Sequence, residues 1–322
     1  MFDLITIGDS TVDTIITIDE AEVKCGLDKE ECLLCFNYAE KIPIKNNVYS
    51  IGGNAANVAV GCKKLGIKTA IVTELGKDTN GFAIKDALNR AGVDTKYAKI
   101  LQGKQTRYAI VLNYQGERTI LSYHTDRKYS LPKLPKTKWV YYSSLGKSFE
   151  KLQDQLLKYL FAHPEVKLAF NPGSYQMKNG LAKIKKILPH VNLLFVNRQE
   201  AEKLVGKKKT TKDLINALLK KGVKQVVMTD GAKGSFATEG KNIYFMKSFP
   251  LKPKAKTGAG DAYSSGFLSA ILSKKTAQQA MQWGTSNSSG VIMKVGAQKG
   301  LLNKKQTLLL IKKYPKIRPI KI

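Results

Sequence analysis

Residues 51–75, IGGNAANVAVGCKKLGIKTAIVTEL, change backbone type within one short run. Two glycines open a helix of small residues that reaches Gly66, and the β-forming run TAIVTEL (69–75) follows. Upstream, Asp3–Ile7 reads as a buried strand closed by Gly8. A strand, a helix and a second strand of this kind form a βαβ unit, whose strands lie parallel with the helix across one face. The rhythm continues downstream. A helix over 80–91 ends at Gly92, and apolar strands are expected at 138–143, 166–171, 192–197 and 224–229. Helices near 179–188, 198–205 and 211–221 separate the later ones. This alternation predicts a three-layer α-β-α, Rossmann-like fold with a mostly parallel sheet covered on both faces.

Two segments interrupt the rhythm. Residues 12–50 make a long polar excursion, and 105–124 (QTRYAIVLNYQGERTILSYH) read as a hairpin about Gln115-Gly116. Both follow strands of the main sheet, so they are expected to meet over its carboxyl edge, where open α/β sheets bind ligands. The organisation expected is one domain over 1–322 with a discontinuous β lid from about 14–50 and 105–124. Tyr108, Ile110 and Leu112 alternate along the hairpin and are expected on an outer lid face fit to pair with a second copy.

Composition narrows the function classes. The net charge is +29, but only six of the 54 basic residues are arginine, the side chain suited to bidentate phosphate and base recognition. Scattered lysines indicate a solvated surface rather than a specific nucleic-acid face. No run of eighteen apolar residues occurs, and MFDLITIGDS enters a strand without a charged lead. A soluble cytoplasmic protein with no membrane partner is expected. Cys25, Cys32 and Cys35 lie close together, yet no second CxxC and no nearby histidine completes a zinc set, so ordinary thiols are expected there and at Cys62.

The stretch KAKTGAGDAYSSGFLSAIL (254–272) sets Gly258, Ala259 and Gly260 before Asp261 and an apolar helical stripe. Unpaired amides at a helix start attract anions, and residues without bulk let a ligand reach them. No Walker A loop exists; Gly146-Lys147-Ser148 has Tyr141 where the first glycine belongs.

Six motifs then stand in order: GGNAAN (52–57), GKDTNGFAIKDALNRAGVD (76–94), NRQE (197–200), TDGAKG (229–234), TGAGD (257–261) and KVGAQ (294–298). Together they resemble the ribokinase-like (PfkB) family of sugar and nucleoside kinases from end to end. The resemblance implies a ribokinase-like fold and ATP-dependent phosphorylation of a hydroxyl group. It makes Asp261 the base and Gly258, Ala259 and Gly260 the anion hole. Asp13, Gly53 and Asn57 become substrate contacts; Asn197, Thr229, Gly231, Gly234 and Asn287 become nucleotide contacts. Glu200 is implied as an acid acting on Mg2+ through water. His124 lies in the lid, where it could meet substrate. Ala255 stands where the family commonly has an acid of a monovalent-cation site, which counts against potassium activation. The acid that ribokinases place after the strand at 138–143 is also missing. That absence counts against ribose in particular; a sugar is the leading acceptor, a nucleoside the alternative, and a non-catalytic basic binding module on a kinase fold the reading from another class.

Overall fold

The structure, a computed structural model, describes residues 1–26, 32–115, 117–178 and 181–322. β1 (Phe2–Ile7) passes through Gly8 into β2 (Thr11–Thr17), followed by β3 (Glu22–Cys25), β4 (Cys32–Cys35) and β5 (Asn46–Gly52). Then come α1 (Asn54–Lys64), β6 (Thr69–Gly76), α2 (Thr79–Arg90), β7 (Ala98–Leu101), β8 (Arg107–Tyr114) and β9 (Glu117–Tyr123). β10 (Thr137–Tyr142), α3 (Glu150–Ala162), β11 (Lys167–Phe170) and the short α4 (Ser174–Met177) lead to β12 (Val191–Asn197). α5 (Arg198–Val205), α6 (Thr211–Leu219) and β13 (Val226–Thr229) end the alternating part. β14 (Ser235–Glu239), β15 (Asn242–Met246), α7 (Ala259–Leu272), α8 (Ala277–Ile292), α9 (Lys304–Lys313) and β16 (Ile320–Lys321) complete the chain.

Among the described residues the main sheet has ten strands in the order β16-β15-β14-β13-β12-β11-β10-β1-β6-β7. It is parallel from β7 to β13 and antiparallel from β13 to β16. The apolar strand runs are explained by burial on both faces. Ile5, Val140, Tyr142 and Phe170 point to one face, under Leu156 of α3 and Leu214 of α6. Leu4, Tyr141, Ala169 and Phe195 point to the other, where Val58 of α1 and Phe267 of α7 cover them. This is the three-layer fold that the alternation predicts.

The segment 179–188 departs from expectation. Residues 179–180 lie outside the described residues, and 181–187 form turns before a 3-10 turn at Leu188–His190. Ile184, Ile187 and Leu188 are nevertheless buried, so their apolar spacing serves packing against the core rather than a regular helix.

The two interrupting segments meet as expected, but with different boundaries. The lid sheet runs β5-β2-β8-β9, so it begins at Thr11 rather than near 14, and β2 pairs in parallel with β8. The excursion also supplies a separate exposed pair, β3 with β4, in which Cys25 lies directly opposite Cys32. The two are joined in a disulfide, correcting the expectation of free thiols there: strand register brings their sulfurs together. Cys35 and Cys62 remain thiols, and burial pushes Cys62 up to about 12.

A buried ion pair fastens the lid to the sheet. Asp9 follows β1, Arg107 opens β8, and the two bond with 3% and 2% of their side chains exposed. Tyr129 Oη accepts from Arg107 Nη2 at 3.0 Å and from the Gly146 amide at 3.0 Å, while donating to Asp9 Oδ1 at 3.1 Å. Burial pushes Asp9 up to about 6, against the pull of Arg107, Arg127 and Tyr129. Losing one member strands the other charge in the interior. Arg107→Met is therefore expected to cost about 3–5 kcal/mol in urea unfolding at pH 8, with a smaller loss at pH 5, where Asp9 takes up a proton. A loss under about 1 kcal/mol, the level of an exposed pair, would rule out this fastening.

Candidate active site

At the carboxyl edge of the parallel strands a cleft of about 1680 Å³ opens beneath the lid. Its floor is the start of α7. Gly258 is the N-cap with φ 78°, a left-handed backbone that glycine adopts without strain. A Cβ there would also lie 2.5 Å from Ala297 Cβ, which no neighbouring backbone could accommodate. Gly260 is different: a Cβ would meet nothing within 4 Å, because the position faces the open cleft. Its amide and that of Asp261 lie in the first turn, where helical carbonyls do not reach them.

Asp261 Oδ2 accepts from Asn57 Nδ2 of α1 at 2.8 Å, and Gln298 Nε2 donates to Asn57 Oδ1 at 3.0 Å. Burial pushes the Asp261 carboxyl up to about 6; the Asn57 bond opposes this, Glu200 and Asp13 add to it, and Arg118 opposes it. The site thus gathers negative charge around a carboxyl of raised proton affinity.

On one side of Asp261 lies the lid. Asp13 sits within β2, opposite Ser50 and Ala109, and its Oδ1 accepts from Thr11 Oγ1 at 2.8 Å. Burial raises its pKa, opposed by the Thr11 bond. Gly53 precedes α1 with φ 92°, and a Cβ would come 2.4 Å from the Asp9 carbonyl. The strand-to-helix turn therefore requires glycine, whatever else that residue touches. Alternation puts Ala109, Val111 and Ile120 on the inner lid face, toward the cleft. His124 also lines it, packed edge-on against Tyr175 at 5.1 Å. Burial first, then Arg107 and Arg127, lower His124 to about 4, so the ring is neutral at pH 7.

On the other side Asn197, Glu200, Thr229, Gly231 and Gly234 line the same cleft. Asn197 and Glu200 form a reciprocal capping box at the start of α5: Asn197 Oδ1 accepts from the Glu200 amide, and Glu200 Oε2 from the Asn197 amide, both at 2.8 Å. Burial raises the Glu200 pKa, while the Asn197 amide and Lys203 oppose it.

Asn287 is not brought to the cleft, a correction to its expected place. It is fully buried, donating to Ala262 O at 3.0 Å and Ser265 Oγ at 2.8 Å and accepting from the Leu302 amide at 2.8 Å. Its helix does reach the cleft, through Thr285, Ser288, Ser289 and Ile292 instead. Sequence reasoning also passed over Asp9, Arg107, Arg118 and Asn171, which line the cleft. Arg118 had a usable signal: it shares two-residue spacing with Ile120 and Ser122 in a chain where arginine is scarce.

The profile of the pfkB family carbohydrate kinases matches residues 12–304, and the chain belongs to that family. A relative is the ATP-dependent 6-phosphofructokinase of Thermoanaerobacterium thermosaccharolyticum, 25% identical over 92% of this chain and 89% of that protein. Among solved structures, the nucleoside kinase of Methanocaldococcus jannaschii superposes with a TM-score of 0.79 at 20% identity, covering 97% of this chain and 99% of that one. The ribokinase of Arabidopsis thaliana, complexed with ribose and ATP, gives 0.77 at 22% identity, with 97% and 99% covered. The protein is thus a carbohydrate kinase of the pfkB family with a ribokinase-like fold. Among the described residues no helix is long and apolar enough to cross a membrane.

The raised Asp261 pKa has a consequence for stability. Folded Asp261 holds its proton up to about pH 6, whereas an unfolded aspartate loses it near 3.8, so folding loses stability as pH rises between those values. Asp261→Asn is expected to raise the unfolding midpoint at pH 7 and to lose that advantage by pH 3. A variant less stable than wild type at pH 7 would contradict the burial assigned to this carboxyl.

Proposed function

We propose that the cleft carries the γ-phosphoryl group of ATP to a hydroxyl of a small sugar, with Asp261 as base. The observation behind this is a carboxyl of raised pKa at the open start of α7, held by Asn57 beside cleft-facing amides. The acceptor hydroxyl gives its proton to Asp261 as its oxygen bonds to phosphorus. The amides of Gly258, Ala259 and Gly260 hold the transferring oxygens in the anion hole. Asp13, Gly53 and Asn57 grip the acceptor; Asn197, Thr229, Gly231 and Gly234 line the ATP side.

Mg2+ fits this donor set. Glu200 spends Oε2 on a backbone amide, leaving Oε1 for a metal-bound water. Among the described residues no cluster of three His, Cys, Asp or Glu forms a protein cage, as suits an ion held mainly by phosphates and water. Bound there, Mg2+ would supply neutralising charge to the phosphates. Ala255 leaves the family's monovalent-cation site without its usual acid.

A nucleoside is the second reading of the acceptor. It is favoured by the apolar inner wall of Ala109, Val111 and Ile120 and by the His124–Tyr175 pair, which suit the face of a base. The scattered lysines act as a solvated surface with no specific nucleic-acid partner. We place the protein in the cytoplasm, where ATP is met.

A panel of sugars and nucleosides assayed for ATP-dependent product tests the acceptor. Asp261→Asn is expected to lower turnover about a hundred- to ten-thousand-fold while ADP binding persists, and wild-type turnover to fall as pH drops below about 6. A variant keeping more than about a tenth of wild-type turnover, short of that loss, would remove Asp261 from the role of base.

The lid also supports a homodimer. Tyr108, Ile110 and Leu112 share the face opposite Ala109 and Val111. Leu112 is covered within the chain, while neighbouring Tyr49, Leu121 and Tyr123 are half exposed. Light scattering should give twice the chain mass, and Leu121→Lys with Tyr123→Lys should halve it; a monomeric wild type would sink the dimer.

A further inference from the structure

The loop after α8, KVGAQKG (294–300), is set against its neighbours by residues without bulk. Gly300 packs on Gly290 of α8 so closely that a Cβ there would run into the Gly290 carbonyl oxygen. Ala297 packs against Gly258, the N-cap of α7. Just beyond, the interior Asn287 takes the Leu302 amide and donates to Ala262 O and Ser265 Oγ, tying the end of the loop to α7. Lys64 Nζ of α1 donates to Leu301 O at 3.2 Å. Gln298 therefore reaches Asn57 from a fixed backbone.

Gln298, Asn57 and Asp261 form a chain of one polarity. Gln298 Nε2 donates to Asn57 Oδ1 at 3.0 Å, and Asn57 Nδ2 donates to Asp261 Oδ2 at 2.8 Å. An amide gives only from nitrogen and takes only at oxygen, so the donor at 298 decides which end of Asn57 faces the carboxyl. Were Asn57 turned over, nitrogen would face nitrogen and oxygen would face oxygen, and both bonds would be lost. Asn57 is 3% exposed, which denies it water as a substitute partner. Among the described residues Asp261 Oδ1 carries no hydrogen bond, and Asp261 lines the cleft.

We propose that Gln298 is a positioning residue for the transfer: by holding Asn57 as a donor it keeps Asp261 Oδ2 occupied and directs the arriving proton to Oδ1. This assignment rests on the kinase reading above. In the transfer, the acceptor oxygen bonds to the γ-phosphorus as the bond to the β–γ bridging oxygen breaks. The electron pair of that bond leaves with ADP, and the acceptor proton passes to Asp261 Oδ1. A proton on Oδ2 would need a neighbour that accepts, and Gln298 keeps Asn57 from offering its oxygen. The donated bond also favours the ionised carboxyl, the form able to take a proton. The titratable groups facing that carboxyl come from other elements: Asp13 of β2, Glu200 of α5, Arg118 of β9 and the Tyr141 hydroxyl of β10, which burial keeps neutral. Gln298 carries no charge, so it acts through Asn57 and not through the field of these groups.

The full chain is tested with ATP, Mg2+ and an accepted acceptor from pH 5 to pH 9. Gln298→Met keeps the length of the side chain without the donor. It is expected to lower kcat about tenfold, to leave KM for ATP within about twofold, and to move the acid limb of kcat up by about half to one pH unit. Gln298→Glu keeps the shape but, ionised, can only accept. It should be the worse variant, with kcat down about a hundredfold, and the loss should persist at pH 9, because Asn57 then turns its oxygen toward Asp261. A residue that merely packed the loop would make Glu, the closer in shape, the milder change. A Glu variant no worse than Met, or one whose loss vanishes by pH 9 as added charge alone would have it, overturns the assignment. So does a Gln298→Met enzyme with kcat within twofold of wild type and an unmoved acid limb. A wild type that phosphorylates no sugar or nucleoside defeats the kinase reading instead. The carbon-13 signal of the Asp261 carboxyl, identified by its loss in Asp261→Asn, then decides Gln298 alone. A titration midpoint raised in Gln298→Met supports the polarised chain, and an unmoved one overturns it.

Discussion

The hydrogen bond from Asn57 to Asp261 is the constraint on which the cleft depends. It spans 204 residues of sequence and joins the first turns of α1 and α7. Both helices cover the same face of the sheet, so their starts converge only at its carboxyl edge. Gln298 completes the knot by donating to Asn57, bringing the loop after α8 to the same point. The amide serves two ends: it anchors the carboxylate and keeps it partly ionisable in a place that burial would otherwise neutralise.

The lid is fastened to this floor by charge as well as by apolar packing, in which Val12 of β2 shares a buried cluster with Ala55 and Ala59 of α1. Asp9 and Arg107 bind at its root, and Glu117 and Lys256 at its tip. The two pairs differ physically. The root pair is excluded from water and bonded through Tyr129, so breaking it leaves an uncompensated charge. The tip pair is solvent-exposed, which makes it weak and reversible. The lid is thus held strongly at its root and only weakly at its tip.

The neutral His124 ring and the apolar inner wall give the lid side of the cleft a character unlike the side of Asn197 and Thr229, where capping amides and glycines dominate. The floor common to both is carboxylate-rich. Asp13, Glu200 and Asp261 each have raised pKa values through burial, and Glu200 and Asp13 raise Asp261 further. Such mutual repulsion among acids favours a bound cation and a proton-accepting role together.

Local order was legible in the chain itself. Apolar runs of strand length, glycine-closed helices and GAGD before an apolar stripe determine the alternating sheet and the open helix start, because these follow from spacing and backbone conformation alone. The motif order likewise marks Asp13, Asn57, Asn197, Glu200 and Asp261 as one site. Tertiary structure decided what spacing cannot express. Asn287 looks polar and available in sequence, yet three bonds consume it in the interior. Cys25 and Cys32 find each other only through strand register. The stretch at 181–187 has helical apolar spacing but packs as turns, since burial asks only that Ile184 and Ile187 point inward. Arg118 and Glu117 are adjacent letters whose side chains part, one lining the cleft and one bonded to Lys256, because a β-strand sends successive residues to opposite faces.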